Sequence, residues 1–196
     1  MNFEELVECE SSIPTLSYGC EILDLLLGQS LFMKGIVEIY GESGSGKTQL
    51  CLQIAAEYAK NQILKQTNKK VLYISTAIFP INRLRQLVIN HGGDSQNVLD
   101  NICILKILTF DDFINLYNKE KHKIKRLFGL LIIDSVAPLF WGSNEANGMG
   151  NRTRSISQLS YILHKINTIK KIDGIIRNGI GILCTNEVRS ESSLLR

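Results

Sequence analysis

The stretch Gly41-Glu42-Ser43-Gly44-Ser45-Gly46-Lys47-Thr48 decides how this chain is read. It matches G-x-x-x-x-G-K-[ST] in full, directly after the apolar run Ile36-Val37-Glu38-Ile39-Tyr40 and directly before a helical pattern. Strand, phosphate loop and helix therefore follow one another in the order the motif's mechanics require. Glycines leave room for successive backbone N–H groups to turn inward on an anion, and the helix that follows points its positive end at the same place. In that frame Lys47 reaches the β- and γ-phosphates of a nucleoside triphosphate, and the Thr48 hydroxyl ligates Mg²⁺.

A second signal lies downstream. Phe128-Gly129-Leu130-Leu131-Ile132-Ile133-Asp134-Ser135 is a continuous apolar run closed by a carboxylate, the pattern of a strand buried on both faces. In phosphate-loop enzymes an Asp at this place holds the Mg²⁺ water shell from the side opposite the loop hydroxyl, which makes Asp134 the partner of Thr48.

Between and beyond these landmarks the chain alternates short β-rich runs with helical periodicities. Residues 47 to about 60 repeat apolar positions at Cys51, Ile54, Ala55 and Tyr58, an amphipathic helix. Lys60 to Lys70 reads as a polar loop. Val71–Ser75 reads as a second strand, and Pro80 opens a helix through about Asn90 that ends at His91-Gly92-Gly93. Ile102–Leu108 is a third strand, and Phe110–Tyr117 a helix with Asp111 and Asp112 at its positive end. The basic run Lys119–Arg126 reads as a solvated helix end. Trp141–Ser155, rich in Gly, Asn and Ser, reads as a mobile loop carrying Arg152 and Arg154. A long helix follows with Ile156, Leu159, Leu163 and Ile166 inward, then a strand at Ile180–Thr185. Upstream, Ile22, Leu23, Leu26 and Leu27 form a stripe on a short helix closed by Gly28, expected to pack beside the sheet.

The expected fold is an α/β phosphate-loop core: a five-stranded, mainly parallel sheet with helices on both faces. Ligands bind beyond the carboxyl ends of such strands, where Lys47, Thr48, Ala77, Asp134 and Asn186 emerge. With 196 residues the chain has room for one such domain and little for two, so residues 1–16, broken by Pro14, are expected as an irregular lead-in to a core over 17–196. Charge is nearly balanced, 22 Lys+Arg against 19 Asp+Glu, so any nucleic-acid contact is local rather than spread over the whole surface. The five cysteines are scattered singly, without metal-ligand spacing, and read as reduced thiols of an intracellular protein. No apolar stretch approaches the ~20 residues that span a bilayer, so a soluble protein is expected.

With these residues in place the chain resembles the RecA-like recombinases of eukaryotes and archaea, and especially their DNA-repair paralogs. The resemblance runs from about residue 13 to 188. It is carried by Gly19-Cys20 with Leu23-Asp24, the phosphate loop continued through Gln49-Leu50-Cys51-Leu52-Gln53, Tyr73-Ile74-Ser75-Thr76, Arg83-Leu84, Leu131–Ser135, and Thr185-Asn186-Glu187-Val188. It implies ATP as the nucleotide with Mg²⁺, held by Gly41 to Thr48, Asp134 and Asn186, with the Arg83 guanidinium against the adenine. It implies that Trp141–Ser155 matches the first DNA-binding loop, with Arg152 and Arg154 as phosphate contacts, and that the tail after Val188 matches the start of the second. The implied partners are other recombinase paralog subunits and, weakly, single-stranded or branched DNA. The implied compartment is the nucleus.

Departures from the family pattern bear on activity. The family ends its second strand in Thr-Glu, the Glu positioning the attacking water, whereas here Thr76 is followed by Ala77, which cannot polarise water. The family ends its fifth strand in Asn-Gln, the Gln sensing the γ-phosphate, whereas here it is Asn186-Glu187, and a carboxylate repels a triphosphate unless protonated or turned away. The family's N-terminal DNA-binding domain, its Phe-x-x-Ala segment and the strands after the second DNA loop have no counterpart in the sequence. Three readings stay open: an ATP-binding paralog subunit of a repair complex with slow or absent hydrolysis, an active DNA-dependent ATPase using Glu187 as replacement carboxylate, and a small-molecule kinase on the same fold.

Overall fold

The computed structural model describes residues 15–27, 31–32, 35–90, 95–141, 148–168, 170–172, 175–177 and 179–188. The phosphate-loop strand β3 (Ile36–Gly41) runs straight into the loop, and α2 (Lys47–Leu64) leaves it, four residues longer than the periodicity predicted. Then follow β4 (Lys70–Ser75), α3 (Ile81–Asn90), α4 (Ser95–Asp100), β5 (Ile102–Lys106), α5 (Phe110–Leu127), β6 (Phe128–Asp134), a 3₁₀ turn (Ala137–Phe140), α6 (Gly148–Asn167) and β9 (Gly181–Glu187). Ahead of them stand β1 (Thr15–Leu16), α1 (Glu21–Leu26) and β2 (Leu31–Phe32), and between α6 and β9 a hairpin of β7 (Lys170–Ile172) and β8 (Ile175–Arg177).

The five long strands form one all-parallel sheet in the order β3-β9-β6-β4-β5. Side chains of a strand point alternately to its two faces, and the apolar runs divide accordingly. Val71, Tyr73, Leu130, Ile132 and Leu183 pack under α2, α3 and α4. Leu72, Ile74, Leu131, Ile133, Ile182 and Cys184 pack under α5 and α6. The inner strands β4, β6 and β9 are buried on both sides while the edge strands β3 and β5 are largely half-buried, which is why β6 reads as an unbroken apolar word. The expected α/β core with a parallel sheet and helices on both faces is the fold observed.

Several local expectations need correction. The helix expected to end at Tyr117 continues to Leu127, because Ile124 is buried and the basic run Lys119–Arg126 places Lys125 and Arg126 at the helix's negative end. Its start is capped as the acidic pair suggested, the Thr109 hydroxyl accepting from the Asp112 N–H at 3.2 Å. Trp141–Ser155 is not a single loop, since α6 begins at Gly148. Gly148, Gly150 and Asn151 are poor helix formers by propensity, and the helicity of this first turn propagates from the packed half where Leu159, Ile162, Leu163 and Ile166 are buried. Ile156, expected inward, is 46% exposed.

Nor does α1 pack beside the sheet. It buries no side chain, and Ile22, Leu25 and Leu26 are exposed. Polar lashings hold it instead: Ser17 Oγ donates to Asp24 Oδ2 at 2.5 Å, the Tyr18 N–H to Asp24 Oδ1 at 2.8 Å, and the Gln53 amide of α2 to the Gly19 carbonyl. Of the expected lead-in only Thr15–Leu16 is described, paired antiparallel with Leu31–Phe32. Gly28, His91-Gly92-Gly93 and the tail after Val188 lie outside the described residues, as do 142–147. Among the described residues no helix is long and apolar enough to cross a membrane.

Candidate functional site

Parallel strands all end on one side, so their C-terminal residues meet there irrespective of distance along the chain. At this edge a cleft of about 360 Å³ is lined by Ser43, Gly44, Gly46, Lys47, Thr48, Ala77, Asp134 and Glu187, together with Gln49, Ser75, Ile78, Pro80 and Ser135.

The loop has the backbone shape the sequence requires. Gly44 and Gly46 stand at φ +81° and +94°, which L side chains rarely adopt, and a Cβ at either would meet nothing within 4 Å. Conformation and not crowding requires glycine there. The Lys47 ammonium lies across the loop, donating to the Gly41 carbonyl at 2.9 Å and the Glu42 carbonyl at 2.7 Å. Below it, Cys51 is fully buried in the next turn of α2, and burial, with Asp134 and Cys184 nearby, pushes its thiol well above the usual range. Cys51 is packing, not a nucleophile.

Asp134 is fixed more firmly than an exposed carboxylate at a strand end. Its Oδ2 accepts from the Tyr73 hydroxyl at 2.8 Å and its Oδ1 from the Thr185 hydroxyl at 2.6 Å. Both donors are fully buried and come from the strands flanking β6, namely β4 and β9. Burial first, then Cys51 and Asp134, push the Tyr73 phenol far above its ordinary value, so it stays a donor. The backbone is tied at the same level: Thr76 N–H to the Asp134 carbonyl at 2.9 Å, Ser135 N–H to Thr76 Oγ1 at 2.9 Å, Val136 N–H to the Thr185 carbonyl at 2.9 Å. The peptide bond between Asp134 and Ser135 is cis.

The sequence-predicted residues divide into two groups. Gly44, Gly46, Lys47, Thr48, Ser43, Ala77, Asp134 and Glu187 converge on the cleft. Arg83 and Asn186 do not line it. Arg83 is exposed and donates from Nε to Gln49 Oε1 at 2.7 Å and from Nη1 to Gln86 at 3.3 Å, which puts it beside the cleft through Gln49. Asn186 turns its amide to Glu38 Oε1 at 3.1 Å, while its own Oδ1 accepts from the Glu187 N–H at 3.0 Å. Gly41, Glu42 and Ser45 serve the loop from behind, two of them through the carbonyls that hold Lys47. Arg152 and Arg154 stand exposed in the first turns of α6. The sequence reading missed the clamp of Tyr73 and Thr185. Its signal was a polar atom at the carboxyl end of an apolar strand, meaningful only once β4 and β9 are known to flank β6.

The residues present suit a magnesium nucleoside triphosphate. They offer open glycine amides at a helix N-terminus, an ammonium held over them, a hydroxyl at Thr48, and a carboxylate whose inner lone pairs are already engaged by buried hydroxyls. Ala77 brings only a methyl group to the place where a carboxylate would reach the same cleft.

The family model described as Rad51 matches residues 10–194. The chain belongs to the Rad51 family. Among relatives, the "Meiotic recombination protein DMC1 homolog" of Arabidopsis thaliana is 32% identical over 158 residues, covering 79% of this chain and 46% of that protein. The "DNA repair and recombination protein RadA" of Metallosphaera sedula is 25% identical, over 97% of this chain and 57% of the relative. The "DNA repair and recombination protein RadB" of Methanococcoides burtonii is 26% identical over 83% of this chain and 68% of its own length. The chain thus spans about half the length of the first two. Membership of the Rad51 family agrees with the phosphate-loop core seen in the sheet order and the cleft.

Proposed function

We propose that this Rad51-family chain binds ATP with Mg²⁺ at the carboxyl edge of the sheet and serves as a paralog subunit of a nuclear homologous-recombination repair complex, hydrolysing ATP slowly or not at all. The observation that carries this reading is Ala77 at the cleft, beside an otherwise complete phosphate loop and a clamped Asp134. Gly41 to Thr48 would hold the phosphates, and Thr48 and Asp134 would hold the metal. Mg²⁺ would supply charge neutralisation for the phosphates when bound. Residues 17–196 act as the nucleotide-binding unit, and other recombinase paralog subunits are its partners. The paralog assignment rests on Phe79-Pro80 before Arg83-Leu84 and on Asp134-Ser135-Val136-Ala137, which look most like the third X-ray-repair cross-complementing paralog. Arg152 and Arg154 give weak, salt-sensitive contact with single-stranded or branched DNA.

Single-turnover hydrolysis alongside fluorescent-nucleotide binding tests the reading. Mg-ATP bound with turnover far below that of an active recombinase supports it, and failure to bind, or ordinary turnover, overturns it. A second reading, hydrolysis through a replacement carboxylate, is favoured by Glu187, which lines the cleft where Asn186 does not. Under that reading Glu187→Gln abolishes turnover. Under the first, whatever residual rate exists survives the substitution.

A further inference from the structure

Gln49, Ile78 and Pro80 line the nucleotide cleft without a part in holding phosphate or metal. The two apolar members belong to the turn between β4 and α3, and that turn is pinned. Phe79 packs edge-on against Tyr73, with ring centroids 5.0 Å apart, and joins the core under α2. Tyr73 is itself bonded to Asp134. The Pro80 carbonyl accepts from the Arg83 and Leu84 N–H groups at 3.0 and 3.2 Å, and Leu84 is buried. With Phe79 turned inward and α3 anchored behind it, Ile78 is held out beside the phosphate loop at 90% exposure.

Gln49 follows Thr48 in the first turn of α2. Its Oε1 accepts from Arg83 Nε at 2.7 Å, and Arg83 Nη1 donates to Gln86 Oε1 at 3.3 Å. A carboxamide is planar, with an acceptor at one end and two donors at the other, so fixing the oxygen toward α3 also fixes the nitrogen. No described residue accepts from that nitrogen, and Gln49 lines the cleft. Arg83 does not line it. The cleft therefore has, beside its phosphate-holding loop, two apolar side chains and one oriented donor. Apolar walls with a few placed polar groups are what a small-molecule site offers to a flat heterocycle.

We propose that Ile78, Pro80 and Gln49 form the seat for the nucleotide's base, the Gln49 amide nitrogen donating to an unprotonated ring nitrogen of the purine. Arg83 is a positioning residue that acts through Gln49 and does not itself lie against the base, in contrast to the role that the family resemblance implies for it. The inference deepens the ATP-binding reading and rests on it.

The test is isothermal titration of the full chain with Mg-ATP and with Mg-tripolyphosphate, which carries the phosphates without a base. Wild type is expected to bind both, ATP the more tightly. Gln49→Ala is expected to weaken ATP binding about fivefold, the value of one hydrogen bond, and to leave tripolyphosphate binding unchanged. Arg83→Ala is expected to match it, since it releases the Gln49 amide. The double variant is then no weaker than Gln49→Ala alone, and Arg83→Lys, which keeps a donor, recovers part of the loss. Ile78→Ala is expected to weaken ATP binding about threefold, again without effect on tripolyphosphate. All three side chains are exposed, so these variants leave the core intact. Losses that add in the double variant would mean that Arg83 meets the base directly, and they overturn the proposal. So does an equal loss of tripolyphosphate binding in Gln49→Ala, which would make Gln49 a phosphate contact. A wild type that binds tripolyphosphate and ATP equally well overturns the base seat alone, whereas one that binds neither overturns the nucleotide reading and the seat with it.

Discussion

The two ends of the sheet deal with positive charge in opposite ways. At the carboxyl edge one ammonium, Lys47, is held by two carbonyls of its own loop, and facing it is a carboxylate locked by two buried hydroxyls. At the amino edge Lys69 and Lys125 lean on helix-end carbonyls, and the Tyr58 phenol lines a cavity beside Gly129. The first arrangement is internally balanced and geometrically rigid, as selective recognition of one ligand requires. The second ties the start of the sheet to the ends of α5 and α6 and serves packing. The contrast breaks most sharply at Lys47. Lys47→Ala is expected to cost at least about a hundredfold in Mg-nucleotide affinity, roughly 3 kcal/mol, while the stability of the fold stays near wild type. Isothermal titration with a non-hydrolysable nucleotide measures the first quantity and urea unfolding the second. A parallel loss of both would make Lys47 a structural residue of the loop and not a ligand contact.

The same contrast explains what could be read from residues alone. Gly41 to Thr48 are contiguous, and each residue has its place because the loop contacts a ligand through consecutive backbone groups, so the sequence pattern and the geometry are the same object. Asp134 was legible because a strand buried on both faces is an apolar word and its terminal carboxylate stands out. Tyr73 and Thr185 were not, since their meaning depends on β4 and β9 lying either side of β6, an adjacency set by crossovers that periodicity does not encode. The amino-end cavity was less legible still, joining α2, the α2–β4 connection and the first residues of β6. The start of α6 was misread because Gly, Asn and Ser carry local loop preference, and that preference lost to propagation from a packed helix. For α1 the apolar stripe was real, but a stripe says that a face is apolar and not what lies opposite it.

Gly129 sharpens the comparison from the amino end. Gly129→Ala places a methyl group 1.9 Å from the Tyr58 hydroxyl and 3.3 Å from Lys69 Cβ. The tip of a rigid ring buried in a close-packed core yields poorly, so the expected destabilisation is about 2 kcal/mol, within the range for overpacking. Urea unfolding of Gly129→Ala against Gly129→Ala/Tyr58→Phe checks the cause. The double variant, lacking the colliding oxygen, is expected to recover most of the loss. If it does not, the strain lies in the β6 backbone, and the cavity owes its shape to something other than the glycine.

Thr185 is the matching test at the carboxyl end, with a smaller expected effect. Thr185→Val keeps the shape of a fully buried side chain and removes only the hydroxyl that donates to Asp134 Oδ1. Hydrogen bonds to charged groups contribute about 1.5–3 kcal/mol. The lower end, about 1.5 kcal/mol, is expected here, because Tyr73 still holds the other oxygen and the half-buried carboxylate can turn toward solvent in the cleft. That freedom is the informative part. A carboxylate released on one side no longer presents its outer lone pairs in a fixed direction, so the Mg²⁺ dependence of nucleotide affinity is expected to weaken severalfold while affinity without Mg²⁺ stays at the wild-type level. Urea unfolding and nucleotide titration with and without Mg²⁺ separate the two quantities. Stability lost with metal dependence intact would make Thr185 a structural bond only, and the clamp a feature of the core instead of the site.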